Sequence, residues 1–87
     1  MGSKVIHPKH YNIEGRKECI DEMIDMFGIE HTRAFCLLNV QKYLYRHEQK
    51  NGSEDVKKAE AYKQLFLDYG GDPEHIQRIE EEYGMKL

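Results

Sequence analysis

Apolar residues recur along this chain at spacings of three and four, with charged and polar residues between them. That period is helical, and it recurs in four segments. Over residues 16–27, Cys19, Ile20, Met23, Ile24 and Phe27 make one apolar face, and Glu18, Asp21, Glu22 and Asp25 fill the other side. Gly28 is a natural stop, because glycine tolerates a left-handed backbone. A second and longer helix is predicted over 32–50 with Thr32 as N-cap. Its Ala34, Phe35, Leu37, Leu38, Val40, Tyr43 and Leu44 cover more than half the circumference, so it should be central in the fold or lie in a subunit interface.

Lys50-Asn51-Gly52 then reads as a tight turn. A third helix is expected over 54–69, with Ser53 as N-cap and Glu54 and Asp55 at the positive end of its dipole. Val56, Ala59, Tyr62, Phe66 and Tyr69 form its apolar stripe, and Gly70-Gly71 ends it. Asp72-Pro73-Glu74 has the form of an N-cap, first position and first turn of a fourth helix, which runs to Tyr83 before Gly84 with Ile76, Ile79 and Tyr83 inward. Residues 1–15 hold Pro8, Asn12 and Gly15 and show no clear period. They read as an ordered arm, with a hint of strand only at Lys4–Ile6.

The expected fold is therefore all-α: one domain over 1–87, a hairpin-based bundle of four helices with an N-terminal arm. The arm takes 1–15, three core helices take 16–69, and a C-terminal helix takes 72–84. A chain of 87 residues buries only roughly 60–65 % of its unfolded surface, so a homo-oligomer is expected.

Composition narrows the function classes. The net charge of −3 weighs against duplex nucleic acid as a partner, without excluding a local cationic pocket. No stretch is apolar enough for a signal peptide or membrane span, so no membrane partner and a cytoplasmic location are expected. Cys19 and Cys36 form no CxxC pair and read as two buried thiols in a reducing compartment. There is no GxxxxGK[ST] loop, GxSxG elbow, HExxH helix or zinc-finger spacing. Six Tyr in so short a chain suit half-buried sites, because each carries an apolar ring and a polar tip.

The informative chemistry lies on the second and third helices. Asn39, Lys42 and Arg46 stand at i, i+3, i+7 and share one face bordered by Tyr43, and Asp55, Lys58 and Tyr62 repeat that spacing on the next helix. A short turn makes the helices antiparallel, which brings Arg46 to Asp55 and Asn39 toward Tyr62 or Phe66. One reading is an Arg46–Asp55 ion pair that sets the register, with Lys42 and Lys58 solvated. The other is a ligand site, in which Lys and Arg neutralise phosphate, Asn reads a base or sugar edge, and Tyr stacks on a base. Asp55 would then orient Arg46.

Two further groups are weaker. His7-Pro8-Lys9-His10-Tyr11-Asn12 offers a stiffened arm and two imidazoles; a zinc site would need two more ligands, and the spacing matches no closed four-ligand pattern, so no metal is expected. Glu18, Asp21, Glu22 and Asp25 could hold Mg²⁺, but the second acidic motif used by helical pyrophosphohydrolases is absent, and a solvated acidic face is the simpler reading.

Taken together, His7-Pro8-x-His10-Tyr11, Glu18-x-x-Asp21, Asn39-x-x-Lys42-Tyr43-x-x-Arg46 and Lys50-x-Gly52-x-x-Asp55-x-x-Lys58-Ala59-x-x-Tyr62 resemble a family of short bacteriophage proteins catalogued as a domain of unknown function. Its members are often labelled SaV-like proteins or phage nucleotide kinases. The resemblance covers roughly residues 5–66 and makes His7, His10, Tyr11, Asn39, Lys42, Tyr43, Arg46, Asp55, Lys58 and Tyr62 the candidate ligand-binding residues. It implies a nucleotide ligand, held in the host cytoplasm. The favoured expectation is sequestration without catalysis of a phosphate-bearing signal, such as a cyclic oligonucleotide or an ADP-ribose derivative. The alternatives are a deoxynucleoside monophosphate kinase without a P-loop and a helical module that binds a host protein. No cofactor is expected, and Mg²⁺ enters only with the kinase reading.

Overall fold

The computed structural model describes residues 18–49 and 52–87. The arm over 1–15, the turn residues 50 and 51, and the candidates His7, His10 and Tyr11 lie outside the described residues. Four helices follow one another: α1 Cys19–Phe27, α2 Ile29–His47, α3 Gly52–Asp68 and α4 Pro73–Tyr83. The all-α expectation holds, and no strand occurs among the described residues.

Helix α2 is central. It packs against α1, α3 and α4, most extensively against α3. The core joins Ile20 of α1, Cys36, Val40 and Leu44 of α2, Ala59, Leu65 and Phe66 of α3, Tyr69 just after it, and Ile76 of α4. The predicted stripe on α3 faces this core, and Leu65 adds a fully buried residue beside it.

Helix α2 starts earlier than the pattern predicts. Gly28 alone links α1 to α2, at φ 95°, a backbone conformation that glycine adopts without a Cβ clash. Its N–H caps α1 by donating to the Ile24 carbonyl at 2.8 Å. Thr32 consequently sits within the first turn of α2 rather than at its N-cap, and its hydroxyl donates back to the Gly28 carbonyl at 3.1 Å. Helix α3 likewise begins at Gly52, so Ser53 lies inside the first turn rather than at the N-cap. Glu54 and Asp55 favour that early start by complementing the helix dipole.

Helices α3 and α4 end alike. The Gly71 N–H donates to Phe66 O at 2.8 Å and the Gly70 N–H to Leu67 O at 3.0 Å, a Schellman closure around a left-handed Gly70. Arg33 of α2 donates to the Tyr69 carbonyl at 2.8 Å and ties that closure to the central helix. Asp72 caps α4 through the Glu74 N–H, as its sequence predicts. Beyond Gly84, Met85 and Leu87 fold back on the core. Lys63 of α3 donates to the Leu87 carbonyl, and Glu80 accepts the Leu87 N–H.

Some predicted inward residues are not inward. Cys19 is exposed, because it stands at the first position of α1; only Cys36 is a buried thiol. Phe27, the last residue of α1, is 63 % exposed, and Leu38 is 65 % exposed, since α2 turns only part of its apolar circumference to its neighbours. The acidic face of α1 is not uniformly solvated either, for Glu18 is sealed at the N-terminus of α1 while Asp25 stays exposed.

A cation and tyrosine cluster as the candidate functional site

The antiparallel packing of α2 on α3 brings the two predicted stripes together. Tyr43 of α2 stacks on Tyr62 of α3, with ring centroids 5.9 Å apart and planes 11° from parallel. Three cations gather at the Tyr43 ring: Lys42 Nζ at 4.5 Å from its centroid, Lys58 Nζ at 5.5 Å and Arg46 Cζ at 5.6 Å. Each cation gains about 0.5–1 kcal/mol from the ring quadrupole at a site this open. Those gains work against the mutual repulsion of like charges held close together.

One carboxylate offsets them. Asp55, fully buried at the first turn of α3, lies with Oδ2 3.7 Å from Arg46 Nε. No described side chain bonds either carboxylate oxygen. The expected Arg46–Asp55 pair therefore forms, and its distance makes it an ion pair rather than a hydrogen bond. Lys42 and Lys58 have no salt bridge to any described carboxylate. Among these described groups, three positive charges stand against one negative, a surplus of two, on a chain whose overall charge is −3.

Asn39 lies on the same face, half-way between Phe35 and Tyr43 along α2. Its Nδ2 donates to the Phe35 carbonyl at 2.8 Å, and the side chain is largely buried. It acts here as a helix back-bond. Phe35, one of the apolar residues of α2, extends the cluster. Its ring meets Tyr62 edge to face at 5.8 Å and 84°, and it keeps 36 % of its surface exposed. The signal was present in the sequence, since Phe35 stands four residues before Asn39 and eight before Tyr43 on one helical face.

Burial raises the Tyr62 phenol above its ordinary value, with the neighbouring Tyr43 adding to the shift. The Tyr62 ring of the stack is thus neutral at physiological pH.

Two clefts open on the other flank of α2. One of about 450 Å³ lies between α2 and α4, floored by Leu37, Leu38 and Ile79 and rimmed by His75 and Arg78. A smaller one of about 330 Å³ lies beside it at Arg33, Phe66 and Gly70. Neither contains a residue of the cation cluster. Charge and aromatic geometry converge at the cluster, whereas the clefts mix acids and bases.

Residues 5–64 match DUF3310, a family described as proteins of unknown function. The chain belongs to this family. The matched span contains every candidate site residue, the cation cluster included. The chain is also similar to the Gene 1.7 protein of Enterobacteria phage T3, with 34 % identity over 73 residues that cover 79 % of this chain and 45 % of that protein. It thus spans less than half the length of this phage relative. No solved structure matches it. Among the described residues, no helix is long and apolar enough to cross a membrane.

Proposed function

We propose that this phage-family protein binds a phosphate-bearing nucleotide on the α2–α3 face, and holds it without turning it over. The observation that carries this reading is the surplus of two positive charges gathered around Tyr43. Lysine and arginine donors of this kind are suited to phosphate oxygens through charge-assisted hydrogen bonds. Arg46 keeps its guanidinium oriented against Asp55 while remaining 39 % exposed to a ligand. Retention of a phosphate-rich ligand needs such donors and an aromatic surface, and it needs neither a base nor a nucleophile. The ligand class is a nucleotide signal such as a cyclic oligonucleotide or an ADP-ribose derivative, bound by a homo-oligomer.

The exposed Phe27, Leu38 and Tyr45 favour a second reading, a helical module that binds a host protein. A deoxynucleoside monophosphate kinase lacking a P-loop would use the same cations for positioning and charge neutralisation.

A mass balance on nucleotides separates these readings. The protein is incubated with deoxynucleoside monophosphates plus ATP and Mg²⁺, and separately with cyclic di- and trinucleotides and ADP-ribose derivatives, then filtered and chromatographed before and after heating. Sequestration predicts a ligand that leaves the filtrate and returns unchanged on denaturation. A new diphosphate contradicts sequestration and establishes the kinase. A panel that stays wholly in the filtrate, with unaltered melting, favours the protein-binding module.

A further inference from the structure

Tyr43 is poorly placed to receive a base. Tyr62 stacks parallel to it, and three cations crowd the ring. Its work in the cluster is to gather charge for phosphate. Tyr62 is flanked in turn by Tyr43 and by Phe35. The aromatic series therefore runs from the cations through Tyr43 and Tyr62 to Phe35, and Phe35 is its solvent-facing end, 36 % exposed. An edge-to-face contact engages at most one face of the Phe35 ring, which leaves an aromatic face for a second planar group.

The spacing along α2 is also informative. Phe35, Lys42 and Arg46 stand at i, i+7 and i+11, one stripe of the helix. The helical rise sets the backbone of Phe35 about 10 Å from that of Lys42 along the axis and about 16 Å from that of Arg46. The cation heads gather at Tyr43, two ring contacts of 5.9 and 5.8 Å away from Phe35, so a base stacked on Phe35 meets them through a chain of phosphates. A nucleoside monophosphate holds its single phosphate close under the sugar and falls short of that span, whereas a nucleoside polyphosphate covers it.

We infer that Phe35 is the base-stacking platform of this site and that the ligand class is a nucleoside polyphosphate, its base on Phe35 and its terminal phosphates among Lys42, Lys58 and Arg46. The inference rests on the phosphate-binding reading above and departs from its cyclic-oligonucleotide and ADP-ribose examples, which carry no terminal polyphosphate. Stacking tolerates every base, so the platform selects for ring and phosphate length more than for base identity.

The chain contains no tryptophan, so Phe35→Trp gives a single reporter at the proposed platform. Its fluorescence is titrated with the four ribonucleoside triphosphates, with the matching monophosphates and with inorganic tripolyphosphate. Binding of the same probes to wild type and to Phe35→Ala is measured by equilibrium dialysis. The expected result is quenching by the triphosphates and none by tripolyphosphate. Phe35→Ala should weaken triphosphate binding about tenfold and leave tripolyphosphate binding unchanged, which also reports that the variant is folded. Monophosphates should bind at least tenfold more weakly than triphosphates. Tripolyphosphate bound equally by both proteins, with triphosphate affinity unaltered in Phe35→Ala, overturns the platform and leaves phosphate binding standing. No tripolyphosphate or triphosphate binding to wild type overturns both.

Discussion

Asp55 is sealed from solvent while its partner Arg46, with Nε 3.7 Å from Oδ2, remains partly exposed. The pair is asymmetric, and so are the consequences of breaking it. Removing Arg46 leaves a buried carboxylate with no compensating charge, whereas removing Lys42 takes away only a solvated cation. Arg46→Ala should therefore destabilise the fold by about 1–3 kcal/mol, below the full buried-pair cost because the guanidinium is partly solvated. Lys42→Ala should stay within about 0.5 kcal/mol of wild type. Urea midpoints check both values, and the Arg46→Ala/Asp55→Ala double variant should recover part of the Arg46 loss. An Arg46→Ala protein as stable as Lys42→Ala would remove the structural role assigned to the pair. Lysine variants are for this reason the cleaner probes of ligand binding.

Tyr69 presents the reverse case. Its ring is 3 % exposed, and its hydroxyl has no hydrogen-bond partner among the described residues. Burial also drives its phenol well above the ordinary tyrosine value. A buried donor without a partner costs about 1–3 kcal/mol of desolvation. Tyr69→Phe should thus leave stability unchanged or raise it by about 1 kcal/mol. A clear drop in melting temperature would reveal a partner for that hydroxyl.

Gly71 owes its identity to a close approach rather than to its backbone angle. A Cβ at this position would lie 2.3 Å from the Phe66 ring, at the turn where the Schellman closure meets the core. Gly71→Ala must displace that ring and should cost roughly 1–3 kcal/mol. Gly52→Ala meets nothing within 4 Å at the first position of α3, so it should stabilise by about 0.4–1 kcal/mol through the unfolded chain. Chemical denaturation of the two variants should give shifts of opposite sign.

The two cysteines should separate by reagent and by pH. Cys19 is exposed and should react with a thiol reagent in the native protein, whereas Cys36 should react only on unfolding. Burial pushes the Cys36 thiol from 9.0 up to about 12. The folded state then keeps its proton where the unfolded chain releases it. That contribution is fully present below pH 9 and is lost as pH rises through about 12. Urea midpoints should fall across this window, and less steeply in Cys36→Ala. Equal slopes would remove Cys36 as a cause.

How much of this was legible in the sequence depended on the kind of signal. Asp72, Pro73 and Gly84 bounded α4 correctly because capping and left-handed termination are local chemistry. Thr32 and Ser53 misled because good N-cap residues also sit inside first turns, and the single-residue Gly28 link leaves no loop for Thr32 to cap. Cys19, Phe27 and Leu38 are apolar at helical spacing, yet which part of an apolar circumference meets a neighbour is decided by tertiary packing. At the site, helical periodicity put Lys42, Tyr43 and Arg46 beside Asp55, Lys58 and Tyr62. Periodicity could not tell that the tyrosines stack on each other and that Phe35 ends their series.

The central claim is that the charge gathered at Tyr43 binds phosphate. The most direct measurement is equilibrium dialysis of a ribonucleoside triphosphate against wild type and Lys42→Gln/Lys58→Gln, repeated over a range of salt concentrations. Each charge-assisted contact is worth about 1.5–3 kcal/mol, so the double variant should bind at least roughly tenfold more weakly. Its affinity should also depend less on salt, while its urea midpoint matches wild type. Equal affinity and equal salt dependence in the two proteins would contradict the account.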